Sequence, residues 1–177
     1  MRRLPSRRGF TLLEMLTTVA VLIIVLGLMV SLARYVRNAL AVEVTKDLLH
    51  RVDAMMQQYT AKYSGVAPNV SPFLPTEPGS APLADEQTLR RNAEANNRSF
   101  VSLLRSEGLL TEESFGGLPQ SMYNNAMLRD AWGSPVVFMP SMHEGIGMAP
   151  LNKPFFFSAG PDQQYLTQAN NLYSYEK

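Results

Sequence analysis

The sequence predicts an α+β fold: a long N-terminal helix, transmembrane in its first half and amphipathic in its second, packed on a small antiparallel sheet. Three observations predict it. No proline interrupts the chain between Phe10 and Ala67, and apolar residues recur there at helical spacing. Proline, glycine and serine crowd the stretch after Ser64. Beyond Asn125, short runs rich in Val, Phe and Tyr are bounded by turn residues, as strands are.

The helix divides by composition. From Met15 to Ala33 no residue is charged, and that run makes roughly 28 Å of helix, close to the hydrocarbon thickness of a bilayer. Arg7 and Arg8 precede it; Arg34 and Arg37 follow. The denser cluster lies N-terminal, which holds that end in the cytoplasm and places the rest across the membrane. A buried core helix is the bland alternative. Past the apolar run, Leu40, Val44, Leu48, Val52, Met55, Tyr59 and Tyr63 fall on one face. Glu43, Lys46, Asp47, His50, Asp53, Gln57 and Lys62 take the other. A single helix from Phe10 to about Tyr63 would be on the order of 80 Å long. Gly27 and Ser31 are the expected places for a local bend.

Pro68, Pro72, Pro75, Pro78 and Pro82 mark a loop-rich stretch. Ala84–Ala95 reads as a short polar helix, and Ser99 as the cap of a second over Phe100–Ser106 that stops at Gly108. Ser134–Pro140, Lys153–Ser158 and Asn171–Tyr175 read as strands, with a flexible connector at His143–Gly147. Phe155, Phe156 and Phe157 alternate faces in such a strand, so one face either reaches the surface, to meet a neighbouring subunit, or lies under a loop. Trp132 reads as a core anchor with its N–H bonded to backbone.

Charge and side-chain chemistry exclude several functions. Four arginines lie in the first nine residues, leaving 12 of the 16 basic residues against all 15 acidic ones. A mildly acidic body offers no basic stripe for nucleic acid. Cysteine is absent and only His50 and His143 carry imidazole, which disfavours a zinc site. No nucleophile elbow, phosphate loop or dinucleotide fingerprint occurs, and Asp85-Glu86 and Glu112-Glu113 read as solvated helix starts. The chain is therefore not expected to be an enzyme.

Arg7-Arg8-Gly9-Phe10-Thr11-Leu12-Leu13-Glu14, leading into the apolar run, resembles the processing signal of type IV prepilins and type II secretion pseudopilins. The resemblance implies that residues 1–9 are a leader removed by a prepilin peptidase. Cleavage would fall between Gly9 and Phe10, Phe10 would be N-methylated, and Glu14 would guide assembly. Residues 10–33 would then be the transmembrane assembly helix, and residues 34–177 the periplasmic domain of a single-pass inner-membrane protein. Physical reasoning agrees with these roles. Glycine is pliable enough for a peptidase to enter. A carboxylate at the head of a membrane segment costs a few kcal/mol unless it finds a partner, and the amine of a neighbouring Phe10 would serve.

A second resemblance lies near the C-terminus. Asp130-Ala-Trp-Gly-Ser-Pro135 is similar to the Asp-x-Trp-Gly-x-Pro segment that opens the sheet of major pseudopilins, and Ser158-Ala-Gly-Pro-Asp162 to their later Ser-x-Gly-x-Asp turn. In that family the following loop often binds calcium, which makes Asp162 a calcium candidate. Gln163 stands where glycine is common, and Tyr165–Asn171 contains no carboxylate. Asp162 with carbonyls and the Asn170 and Asn171 amides is a thin donor set. The alternative is that Asp162 shapes a turn.

Together these readings imply a structural subunit of a type II secretion pseudopilus or type IV pilus-like filament. It would assemble with itself and other pseudopilins at an inner-membrane platform. Other readings are an ordinary signal peptide cut near Ser31-Leu-Ala33, and a plain signal anchor. A further one is a minor tip subunit, adhesin or tethered binding module that uses Ser64–Pro82 and Ser141–Pro154 as contact surfaces. An anchored extracytoplasmic enzyme comes last.

Overall fold

The computed structural model describes residues 11–66, 68–74, 85–124 and 126–176. Helix α1 runs over Leu12–Lys62, within two residues of the expected bounds at its start and one at its end. Phe10 lies outside the described residues. The chain divides into two compact units, Met1–Ala39 and Leu40–Lys177.

In the first unit every residue from Thr11 to Ala39 is exposed, although most are Leu, Ile, Val or Met. None of the described residues covers this surface.

The second unit contains the rest of α1, helix α2 (Glu86–Ser106), and strands β1 (Val137–Met139), β2 (Phe155–Ser158) and β3 (Leu172–Tyr173). Four short 3-10 turns connect these elements. The sheet is antiparallel in the order β1-β2-β3, with Val137 opposite Phe157 and Phe157 opposite Tyr173. These are the expected strands, shortened; prolines, which cannot donate to a ladder, flank β1 and β2.

Side-chain alternation splits the core into two layers. On one face Phe138 and Phe156 pack with Leu48, Val52, Phe100 and Leu104. On the other, Val137, Phe155 and Phe157 pack with Phe73, Leu89, Tyr165 and Tyr173. Phe155, Phe156 and Phe157 are each at most 1% exposed, so of the two alternatives the loop cover is the one found. The Phe73 loop and Tyr165 lie against the sheet's outer face. Burial of each such ring contributes about 2–3 kcal/mol.

The buried stripe of α1 also differs from expectation. Leu48, Val52 and Met55 are buried as predicted, with Val44 and Tyr59 packed at their edge. Leu40 and Tyr63, at the two ends of the stripe, are exposed. Thr45, Leu49 and Met56 form an additional buried row, so α1 meets more than one partner. Arg51, which neither predicted face included, acts as a tie. It grips Asp47 at 2.9 and 3.1 Å and donates to the carbonyls of Ser114 and Gly116, both at 3.0 Å.

Helix α2 is one element where two were expected. Asp85 caps it, Oδ1 accepting from Thr88 N at 2.9 Å, and Ser99 lies inside it, its Oγ accepting from Ser71 N. Asparagine competes with helical backbone bonds, yet Asn96 and Asn97 lie within this helix. Here both amides are buried and point at other backbone. Asn96 Oδ1 accepts from Phe138 N at 2.8 Å while its Nδ2 donates to Phe138 O at 3.0 Å and Ser71 O at 2.7 Å. Asn97 Oδ1 accepts from Leu128 N at 2.9 Å, and its Nδ2 donates to the carbonyls of Leu128 and Val136. Two side chains thus stand in for a neighbouring strand along the open edge of β1.

The connector His143–Gly147 is a closed turn. His143 N donates to Gly147 O at 2.9 Å, and His143 Nδ1 accepts from Gly145 N. Ile146 at its tip is fully buried. Gly147 allows this packing, since a Cβ there would sit 2.6 Å from the Tyr173 ring.

Candidate functional site

The head of α1 carries a reciprocal cap. Thr11 precedes the first helical residue, and Glu14 N donates to Thr11 Oγ1 at 3.3 Å while Glu14 Oε2 accepts from Thr11 N at 3.4 Å. This is a Thr-x-x-Glu capping box, and the carboxylate also lies favourably near the positive end of the helix dipole. The spacing Thr11-Leu-Leu-Glu14 carried that signal in the sequence, but the expectation for Glu14 considered only an external partner. Gly9 and Phe10, the expected cleavage pair, lie outside the described residues.

Further along, polar groups turn inward on the helix itself. Thr17 Oγ1 donates to Glu14 O at 3.0 Å and Thr18 Oγ1 to Met15 O at 2.9 Å. A segment whose backbone and hydroxyls are satisfied internally is what a hydrocarbon environment demands. α1 is long and apolar enough in this half to cross a membrane.

The second candidate region joins two segments that sequence reasoning treated separately. Asp130 is 2% exposed. Its Oδ1 accepts from Trp132 N at 3.0 Å and Ser134 N at 2.8 Å, closing the turn that leads into β1. Its Oδ2 accepts from Ser158 Oγ at 2.6 Å, and Ser158 Oγ in turn accepts from Gly160 N. Burial pushes the Asp130 carboxyl above its ordinary range, with Ser158 and the turn amides pulling the other way. The joint is structural: its oxygens are occupied. Ala131 N adds a link to α1, donating to Thr45 Oγ1 at 3.1 Å.

After β2, Gly160 takes φ +69°, and a Cβ there would lie 2.0 Å from Asn170 O. Gln163 adopts φ +57°, the left-handed conformation for which glycine is favoured. Its side chain is put to use, Nε2 donating to Trp132 O at 3.0 Å and Oε1 accepting from Arg90. Trp132 itself is only half-buried and belongs to neither core layer. The expected core anchor is instead the edge of a turn.

Asp162 accepts from Gln164 N at 3.1 Å and from Asn170 Nδ2 at 2.8 Å. Desolvation raises its carboxyl, but these donors outweigh it and hold the group below its ordinary range. Asn171 is buried and donates through Nδ2 to Tyr165 O. Among the described residues no three of His, Cys, Asp and Glu gather into a group able to hold a metal ion. One carboxylate already occupied by amide donors does not fit calcium, which takes six to eight oxygens.

Comparison with known proteins agrees with the N-terminal reading. Residues 4–30 match the family model described as the prokaryotic N-terminal methylation motif. No curated protein and no solved structure matches the chain. The N-terminal segment is thus similar to the signal of type IV pilin and pseudopilin precursors.

Proposed function

We propose that this chain is a structural subunit of a type II secretion pseudopilus or type IV pilus-like filament. A prepilin peptidase cuts it between Gly9 and Phe10 and methylates the new N-terminus. The observation that supports this most is an apolar helical half, exposed throughout, that opens on Glu14 within a methylation motif. In the inner membrane that surface faces lipid, with the domain on the periplasmic side. An assembly platform then lifts the subunit, and its helix exchanges lipid for neighbouring helices. The apolar area buried is similar before and after, so the net driving force is small and the machine supplies the work. Glu14 pairs with the amine of a neighbouring Phe10 and sets the axial stagger. Asp162 is assigned to its turn and not to calcium. Heat on titrating the protein with millimolar calcium would reverse that assignment.

The intact mass and N-terminal sequence of the mature protein test the processing step. A start at Phe10 with one added methyl is expected, and a start beyond Ala33 overturns the reading. The capping box makes Glu14→Ala ambiguous, since it removes both cap and charge. Glu14→Gln separates them, because glutamine also serves at this position of a capping box. It should be cleaved normally and fail to assemble. Normal filaments from Glu14→Gln would limit Glu14 to a capping role.

A further inference from the structure

The chain contains no cysteine, so its softest nucleophiles are its 10 methionines. Their environments in the second unit fall into two groups. Met55, Met56, Met122, Met127 and Met139 are each at most 9% exposed. Met142 and Met148 are 45% and 53% exposed, and both lie on the turn between β1 and β2. That turn is held in shape: Met142 N donates to Asn152 Oδ1 at 2.8 Å, and Met148 stands between the buried Gly147 and Ala149. Met142 also lines an apolar cleft with Val70, Phe73, Leu74, Phe138 and Met139.

We propose that Met142 and Met148 are oxidation sites, converted to sulfoxides by peroxide before any other methionine of this unit reacts. A thioether sulfur attacks one oxygen of hydrogen peroxide and the O–O bond breaks. The sulfur gives up two electrons and becomes the sulfoxide; the other oxygen leaves as water after taking the proton. Susceptibility follows exposure, and the fixed turn keeps both sulfurs presented while the folded core shields the rest. The chemical consequence is local. At Met142 an apolar wall of the cleft gains a strong hydrogen-bond acceptor, without disturbance of the packed layers. Sulfoxide reductases reverse the change.

Peptide mapping by mass spectrometry tests this on the full chain in detergent micelles, sampled during treatment with dilute hydrogen peroxide. Met142 and Met148 should each gain one oxygen about tenfold or more faster than Met122, Met127 or Met139. Met15 and Met29, on the micelle-covered helix, are scored separately. The double variant Met142→Leu/Met148→Leu should lose the fast uptake by this unit, and a sulfoxide reductase should restore the original mass of the oxidised protein. Comparable rates at Met122, Met127 or Met139 overturn the proposal, as does fast uptake by this unit in the double variant.

Discussion

One helix presents two opposite solutions to the same problem. From Thr11 to Ala39, α1 leaves its apolar side chains uncovered and satisfies its polar groups by folding them back, as Thr17 and Thr18 do. From Thr45 to Met56 it buries six residues and sends polar groups outward to other backbone. Thr45 accepts from Ala131, and Arg51 reaches Ser114 and Gly116. Helical backbone is common to both halves, so what differs is the supply of partners. The described residues leave the first half uncovered; the second brings its own cover. Folding of the domain should therefore be indifferent to substitutions that ruin the first half.

The sharpest way to break that contrast is a matched pair of leucine truncations. Leu48→Ala, at a fully buried position, should cost about 3 kcal/mol of domain stability through lost burial and the cavity left behind. Leu28→Ala, at a position 66% exposed, should change it by less than about 0.5 kcal/mol. Denaturant titration of the full chain in detergent, followed by Trp132 fluorescence, reads both. Equal losses would mean that the halves are energetically one unit.

A somewhat smaller loss is expected where α2 replaces a strand. Asn97→Ala leaves Leu128 N–H and the Val136 carbonyl without their partner, while the Leu128 carbonyl keeps the Val136 amide, a cost of about 2–3 kcal/mol. Hydrogen exchange at the Leu128 amide should accelerate by more than global destabilisation accounts for. Protection unchanged relative to the global loss would show that another group supplies the bond.

Legibility in the sequence followed the same division. The apolar half of α1, the absence of proline and the three strand segments depend on composition and period, which neighbours along the chain reveal. Glu14 was legible as the odd acid in a greasy segment, and its capping box was present in the four-residue spacing from Thr11. What escaped depends on contacts between distant residues. The buried roles of Asn96 and Asn97 were not read, because their partners lie 31–42 residues away. The two pseudopilin-like segments were each visible, but the bond from Ser158 to Asp130 spans 28 residues and no periodicity encodes it. Trp132 misled for a related reason: size suggested a core anchor, while its turn fixes the backbone and leaves the ring half-buried.

The smallest effect sharpens the contrast most, because it carries a pH signature. Asp130 closes the turn whose next residue reaches Thr45, so its titration reports on the tie to the second half of α1. Burial raises its carboxyl in the folded state above the ordinary 3.8, so between that pH and the folded value the native state holds a proton that the unfolded state has released. Stability then falls as pH rises through that window. Asp130→Asn can still accept from Trp132 N and Ser134 N, but its amide must face Ser158 Oγ, which already accepts from Gly160 N. The crossed donors should cost about 1 kcal/mol at the acid end. The variant has nothing to titrate, so its deficit should shrink as pH rises, while Leu28→Ala should run parallel to the parent throughout. A deficit that grows with pH would show that the three hydrogen bonds outweigh burial and that Asp130 is held ionised in the fold.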